Sequence, residues 1–176
     1  KIAMNPEFPS YRHMIDCGAT TIWERFDGWR KDLGFNPDIM NDFSHVGLSG
    51  AGEWIWRMIV GLNPDASQPG YKHFVIHPRP PSGLSSVKAR YESARGAIRV
   101  EWQIDRDKFT LALTIPPNTT ASVYIPAAHP EGILENAKPA SQSPGVDGLP
   151  PLEGAAGFRI AAGHYRFEST VAGLAP

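Results

Sequence analysis

The chain has 176 residues, of which 41% are hydrophobic, and its 17 Lys and Arg nearly balance its 18 Asp and Glu, for a net charge of -1. This length and apolar content suffice for a folded core. Because no basic run is present and the longest apolar stretch, around residues 54–62, is interrupted by Arg57, neither nucleic acid nor membrane is expected as a partner.

The N-terminal part of the chain, from about Tyr11 to Leu62, has apolar residues at helical spacings. The clearest predicted helix runs from Ser49 to Leu62, with Ser49 as a suitable N-cap and Gly61 as a suitable C-terminal residue. Its apolar residues form one broad face that needs a large partner surface. We therefore predict that this part is the end of a larger α-helical domain.

After a turn-rich segment at residues 63–71, the apolar residues alternate with polar ones at period two. This alternation predicts strands over residues 87–91, 98–104, 109–115 and 121–125, with closing strands at 158–160 and 164–168. Residues 127–157, rich in Pro, Gly, Ala and Ser, are predicted to be a long irregular connection. Half-buried strands in meander order need a second layer, which indicates an antiparallel β-sandwich.

Glu24 is the first candidate for chemistry, because it lies among aromatic residues in the segment GATTIWERFDGW. Indole faces stack on the C–H faces of sugars, while carboxylates transfer protons, so this composition is typical of glycan-processing sites. The structural alternative is that Trp23 belongs to a core, that Glu24 pairs with Arg25, and that Asp27-Gly28 forms a turn. Residue chemistry alone leaves both interpretations open.

Three histidines are candidate ligands or catalysts. His45, in MNDFSHVG, precedes the predicted helix and is explained equally by a structural hydrogen bond, just as Asn41 is explained by capping. His73 and His77 are four residues apart, but the Phe-Val-Ile between them and the following prolines favour a strand over a helix. Without an obvious third ligand, no metal site is expected.

Four segments of the sequence, taken together, favour the functional interpretation of Glu24 and His45 over the structural one. In their order and spacing they resemble the C-terminal part of bacterial α-L-rhamnosidases of glycoside hydrolase family 78. The resemblance covers about residues 10–126 and is carried by GATTIWERFDGW, MNDFSHVGLSGAGEWIWRMIVGL, PGYKHFVIHPRP and IPPNTTASVYIP.

The resemblance implies the C-terminal part of an (α/α)6-barrel catalytic domain at residues 1–76 and a C-terminal β-sandwich domain at residues 77–176. It implies an inverting hydrolase in which one carboxylic acid protonates the leaving oxygen and a second carboxylate activates water. By match, Glu24 is the general base, kept ionised by Arg25 or other nearby donors, and His45 contributes to the rhamnose site. Trp23 and Asn41 are further candidates for sugar contact.

The resemblance also places the general acid upstream, in a part of the polypeptide that this chain does not contain. The expected partners are therefore a rhamnose-containing carbohydrate and the upstream part of the barrel, and acid–base chemistry implies no cofactor or metal. The isolated chain is expected to be inactive. The alternative is a non-catalytic carbohydrate-binding or structural β-sandwich, and sugar binding there would need exposed Trp102 and Tyr91, which the alternation places inward.

Overall fold

The computed structural model describes residues 2–38 and 40–171 of the chain. Its internal contacts divide the chain into two compact units, residues 1–53 and residues 54–176. Within the described ranges, no helix has both the length and the hydropathy needed to cross a membrane.

The first unit consists mainly of loops around short elements. Helix α1 (Tyr11–Asp16) begins at Ser10, whose Oγ accepts a hydrogen bond of 2.8 Å from the backbone N–H of His13. Strands β1 (Trp29–Arg30) and β2 (Gly34–Phe35) form a small antiparallel hairpin. The described residues thus hold short helices and no layered helical barrel here, so the (α/α)6 barrel stays a proposal for a larger protein.

The helix predicted over Ser49–Leu62 is present but changes type along its length. Helix α2 covers Gly50–Trp54 and a π-helical segment continues over Ile55–Val60. Ser49 does not start it as expected, since its hydroxyl donates to the carbonyl of Val46 at 2.6 Å. Gly61 ends the helix as predicted, with a left-handed φ of 83°, and any Cβ there would lie 2.2 Å from the nitrogen of Pro78.

The second unit is a β-sandwich, as the alternation predicted. In chain order its strands are β3 (Leu62–Pro64), β4 (His73–Ile76), β5 (Ser86–Ser93), β6 (Gly96–Asp105), β7 (Lys108–Ile115), β8 (Thr120–Pro126), β9 (Leu134–Glu135), β10 (Lys138–Pro139), β11 (Val146–Leu152), β12 (Ala155–Ile160) and β13 (Gly163–Thr170). One sheet has the order β10-β9-β13-β7-β6-β5, and the other has the order β11-β12-β8-β4-β3. Neighbouring strands are antiparallel except β4 and β8, which are parallel.

The core lies between these two sheets and follows the predicted alternation. Every second residue of β6 and β7 is buried, including Trp102 and Phe109, and the other sheet contributes Phe74, Val123 and Phe158. The indole N–H of Trp102 donates to the carbonyl of Ile59 at 2.8 Å, which satisfies its polar atom inside the core. Apolar burial of this extent is the main stabilising contribution to the sandwich.

The prediction of an irregular connection over residues 127–157 was wrong for its last part. Residues 146–152 form β11, an edge strand that pairs with β12 and has a register shift between Leu149 and Leu152. Pro150 and Pro151 lie at this shift, and proline is tolerated there because an edge strand has one unpaired side. Strands β9 and β10 also fall within the predicted connection.

The two compact units do not test the domain boundary predicted for the whole protein. Strands β3 and β4 precede residue 77 but pair within the five-stranded sheet, through β4 and β8. The compact units divide between Glu53 and Trp54. The boundary between residues 76 and 77 stays a prediction for the domains of the whole protein.

His73 is a buried polar residue that links these two parallel strands. Its Nδ1 lies 2.7 Å from the hydroxyl of Thr120, and its Nε2 lies 2.9 Å from the hydroxyl of Ser122. Burial lowers the pKa of His73 below its ordinary value of 6.5, with Arg159 acting in the same direction and Asp65 opposing it. His73 is therefore held neutral by the fold, and hydroxyls occupy both ring nitrogens.

We predict that the sandwich loses stability as the pH falls from about 7 to about 5, because the unfolded chain then takes up protons that folded His73 resists. His77, whose pKa is also lowered by burial, acts in the same direction. The free energy of unfolding should fall by at most about 1.4 kcal/mol per pH unit for each such histidine. Urea unfolding at a series of pH values measures this slope.

His73→Gln should flatten the slope, whereas the control His129→Gln, at a side chain that is 73% exposed, should leave it unchanged. Equal slopes for His73→Gln and the unmodified chain would contradict the prediction.

Candidate active site

The first unit brings two distant segments together by backbone pairing. The N–H of Glu24 donates to the carbonyl of Asp42 at 2.8 Å, and the N–H of His45 donates to the carbonyl of Ile22 at 2.8 Å. The hydroxyl of Thr21 donates to the carbonyl of Phe43 between them. This pairing joins the GATTIWERFDGW segment to the segment that contains His45.

The carboxylate of Glu24 lies at this junction, and its side chain is 17% exposed. Its Oε2 accepts a hydrogen bond of 3.0 Å from the backbone N–H of Asp42. Its Oε1 lies 3.9 Å from Nε2 of His45, which is too long for a direct hydrogen bond. One oxygen that accepts from the imidazole N–H and donates to Oε1 fits this separation, so the pair can hold a water or a sugar hydroxyl.

The second ring nitrogen of His45 is also engaged. Nδ1 accepts a hydrogen bond of 2.9 Å from the backbone N–H of Gly47. A neutral imidazole carries its proton on one nitrogen only, so with Nδ1 as the acceptor the position left for a proton is Nε2, the atom that faces Glu24. The sequence prediction that Glu24 and His45 belong together is thus matched by their placement, although their roles stay predictions.

Arg25 does not contact Glu24, contrary to one expectation from the sequence. Its guanidinium binds Asp27 through two nitrogens, at 2.7 and 3.3 Å, and Asp38 through a third, at 2.8 Å. Asp27 also accepts from the amide of Asn36 at 3.0 Å. The hydrogen bonds from Arg25 hold the pKa of the Asp27 carboxyl below its ordinary value. Arg25 therefore organises the loop that follows Glu24.

Trp23 and Asn41 lie next to this site, but both side chains are used inside the unit. Trp23 is 5% exposed and packs edge-on against Phe43, with ring centroids 5.1 Å apart, so its indole face is not open to a sugar. The amide nitrogen of Asn41 donates to the carbonyls of Gly28 and Asn36, at 3.0 and 3.2 Å, whereas its buried Oδ1 has no hydrogen-bond partner among the described residues. The sugar contacts of Trp23 and Asn41 stay predictions.

The described part of the chain contains no group of three or more His, Cys, Asp or Glu residues that could hold a metal ion. Strand β4 begins at His73 and ends just before His77, so the two histidines lie along a strand as the sequence predicted, and the ring of His77 packs near that of Tyr124, with centroids 5.4 Å apart. Sequence reasoning missed the contribution of backbone N–H groups, since those of Asp42 and Gly47 hold Glu24 and His45. The His-x-Gly spacing of residues 45–47 was the available signal.

Comparison with known proteins identifies two family models along the chain. Residues 1–59 match the bacterial alpha-L-rhamnosidase 6 hairpin glycosidase domain. Residues 61–139 match the bacterial alpha-L-rhamnosidase C-terminal domain. The two matches meet at residue 60, within the helix that ends at Gly61.

Curated relatives carry the same description. The chain is 36% identical over 160 residues to an alpha-L-rhamnosidase of Streptomyces avermitilis, which covers 91% of this chain and 15% of the relative. It is 38% identical over 133 residues to an alpha-L-rhamnosidase of Formosa agariphila, covering 76% of this chain and 14% of the relative. The chain therefore spans about one seventh of the length of these relatives.

Solved structures of alpha-L-rhamnosidases are also similar to this chain. The crystal structure of Streptomyces avermitilis alpha-L-rhamnosidase complexed with L-rhamnose is similar with a TM-score of 0.83 at 35% identity, over 95% of this chain and 15% of that one. The alpha-L-rhamnosidase of Dictyoglumus thermophilum is similar with a TM-score of 0.77 at 26% identity, over 94% of this chain and 18% of that one.

We predict that the Arg25–Asp27 pair stabilises the first unit. Asp27→Asn keeps the shape of the side chain but removes its charge, and should lower the free energy of unfolding at pH 7 by about 1 kcal/mol. Because the pKa of Asp27 is lowered in the folded chain, this difference should vanish as the pH falls below its ordinary value of 3.8. Urea unfolding, followed through the indole N–H signals of Trp23 and Trp29, measures it.

Asp32→Asn is the matched control, since Asp32 also follows its arginine by two residues but has a side chain that is 61% exposed. It should change stability much less. An equal loss in the two variants would show that the Asp27 pair has no special role.

Proposed function

The chain belongs to the bacterial α-L-rhamnosidases, to whose C-terminal region it corresponds, and from this premise we propose that Glu24 is the general base of an inverting glycoside hydrolase. In such a hydrolase the base takes a proton from the water that attacks the anomeric carbon, on the face opposite the leaving group. The substrate would be a glycoside or polysaccharide with terminal α-L-rhamnose. The crystal structure of the Streptomyces avermitilis relative with L-rhamnose supports this choice of sugar.

The placement of Glu24 carries this proposal. One carboxylate oxygen is held by the N–H of Asp42 at 3.0 Å, which fixes the orientation of the carboxylate. The other oxygen lies 3.9 Å from Nε2 of His45, so an oxygen atom placed to one side of the line between them would be within hydrogen-bond distance of both. A water in that space would donate to Glu24 and accept from His45, which orients its remaining lone pair for attack.

The general acid is proposed to lie outside this chain. A general acid must keep its proton near the working pH, which requires a raised pKa. Hydrogen bonds from Arg25 and Arg30 instead lower the pKa values of Asp27 and Asp32. Asp16 is engaged by Arg12 at 3.3 Å, as an exposed pair one helical turn apart. These three carboxyl groups are better suited to structural ion pairs than to proton donation.

We also propose that the upstream part of an (α/α)6 barrel covers the first unit. Large apolar side chains of this unit are exposed to an extent that a stable folded surface avoids, and aromatic Phe35 is 71% exposed. The others include Ile15, Leu33, Met40 and Val46. The chain also spans only 15% of the length of its Streptomyces relative, so such a partner segment exists in related proteins.

For the β-sandwich we propose a structural role instead of sugar binding. A stacking platform would need open aromatic faces, but Trp102 is 2% exposed and Tyr91 packs against Tyr71, with ring centroids 4.8 Å apart. Trp102 thus lies in the core, and Tyr91 is half-buried against it. A sandwich with its aromatic residues in the core is suited to support a neighbouring domain.

The base is tested in the full-length parent protein with an aryl α-L-rhamnoside. Glu24→Gln keeps the size of the side chain but cannot take the proton, so the rate should fall by at least about 100-fold. Glu7→Gln, at an exposed residue of the same unit, is the control and should keep full activity. Unchanged activity of Glu24→Gln, with rhamnose binding intact, would assign Glu24 a structural role.

The isolated chain of 176 residues should release no rhamnose from the same substrate, because an inverting mechanism needs both carboxylates. The assay should run alongside the full-length parent at equal molar concentration. Measurable turnover by the isolated chain would mean that the acid lies within it.

A further inference from the structure

The backbone of Gly47 lies directly against the imidazole ring of His45, and the proposed function assigns this contact no role. The residue's N–H donates to Nδ1 of the imidazole at 2.9 Å. A Cβ on Gly47 would lie 2.8 Å from that same nitrogen and 3.0 Å from Cε1, so a side chain there would push the ring away. The φ of Gly47 lies outside the left-handed region, so space beside His45, and not backbone conformation, explains why glycine fits here.

We propose that Gly47 is a positioning residue that holds His45 as a neutral imidazole with its proton on Nε2. A backbone N–H can only donate, so a ring that accepts from it through Nδ1 has no proton on that atom. The proton on Nε2 then faces Oε1 of Glu24, 3.9 Å away. His45 therefore acts as a hydrogen-bond donor to the oxygen between the two side chains, and not as a second base.

The surroundings of His45 keep the ring in this orientation. Its backbone N–H is bound to the carbonyl of Ile22, which anchors the residue to the segment before Glu24. The next turn is closed by the N–H of Ser49, which donates to the carbonyl of Val46 at 2.9 Å. Oε1 of Glu24 lies 3.9 Å from Nε2, so the carboxylate is placed on the side of the ring that carries this nitrogen.

The first test is the tautomer of His45 in the chain labelled with nitrogen-15, read from long-range proton–nitrogen correlations above neutral pH. The signals of His45 are identified by their loss in His45→Gln. We expect Nδ1 to have the shift of an unprotonated nitrogen and Nε2 that of a protonated one. In Gly47→Ala both shifts should move towards those of a solvent-exposed histidine, whereas Gly50→Ala, where a Cβ meets nothing within 4 Å, should leave them in place. A proton on Nδ1, or unchanged shifts in Gly47→Ala, would overturn the proposal.

The second test uses the full-length parent and rests on the proposed function. Gly47→Ala should lower kcat/KM by between about 10-fold and about 100-fold, as expected for a misplaced site group, and Gly50→Ala should not. The replacements of His45 separate the two ring nitrogens: glutamine places an amide near Nε2, and asparagine places one near Nδ1. His45→Gln should therefore retain more activity than His45→Asn.

The outcomes distinguish the two claims. If Glu24→Gln abolishes activity while Gly47→Ala equals Gly50→Ala, the positioning role fails and the proposed function stands. If the tautomer behaves as expected but the parent does not hydrolyse rhamnosides, the proposed function fails alone. The reverse order of activity for the two His45 variants would also overturn the role of Nε2.

Discussion

The backbone pairing between residues 22–24 and residues 42–45 is the constraint on which the candidate site depends. These segments are about twenty positions apart in the chain, and the loop between them has little regular structure. Two backbone hydrogen bonds of 2.8 Å and one bond from the N–H of Asp42 to the carboxylate of Glu24 fix their register. A slip of one residue would break both backbone hydrogen bonds and move the carboxylate of Glu24 away from the N–H of Asp42.

Asp27 and Glu24 both carry a carboxylate, but their different contacts suit them to different roles. Asp27 accepts hydrogen bonds from two nitrogens of Arg25, so its negative charge is neutralised by an ion pair within the unit. Glu24 lies close in sequence but receives one backbone N–H and faces an imidazole, so one carboxylate oxygen is left for a further ligand. A carboxylate with an unused acceptor is suited to proton transfer, whereas a fully paired one is suited to holding a loop.

The sequence predicted the sandwich better than the first unit, for physical reasons. The alternation along β6 and β7 arises because one face of each strand is buried. This pattern is visible within a short stretch of sequence, so it can be predicted without knowing which distant residues pack against the strand. Strand β11 was missed because Pro150 and Pro151 are usually signs of a loop, and only its position at a sheet edge permits them. The change from α-helix to π-helix after Trp54 has no signal in the apolar pattern.

For the site, the sequence indicated Glu24 and His45 through a family resemblance and not through their chemistry, which left structural alternatives open. It could not foresee that Arg25 contacts Asp27 and Asp38, since a neighbour in sequence is not a neighbour of the side chain. It also could not foresee that Trp23 is packed against Phe43, because aromatic residues are typical of both cores and sugar sites.

The most direct measurement for the central claim is a crystal structure of the full-length parent protein with L-rhamnose bound. The account predicts that the sugar, or a water beside its anomeric carbon, lies within hydrogen-bond distance of both Oε1 of Glu24 and Nε2 of His45. A rhamnose bound away from this pair, with the two side chains still in their present contacts, would contradict the account.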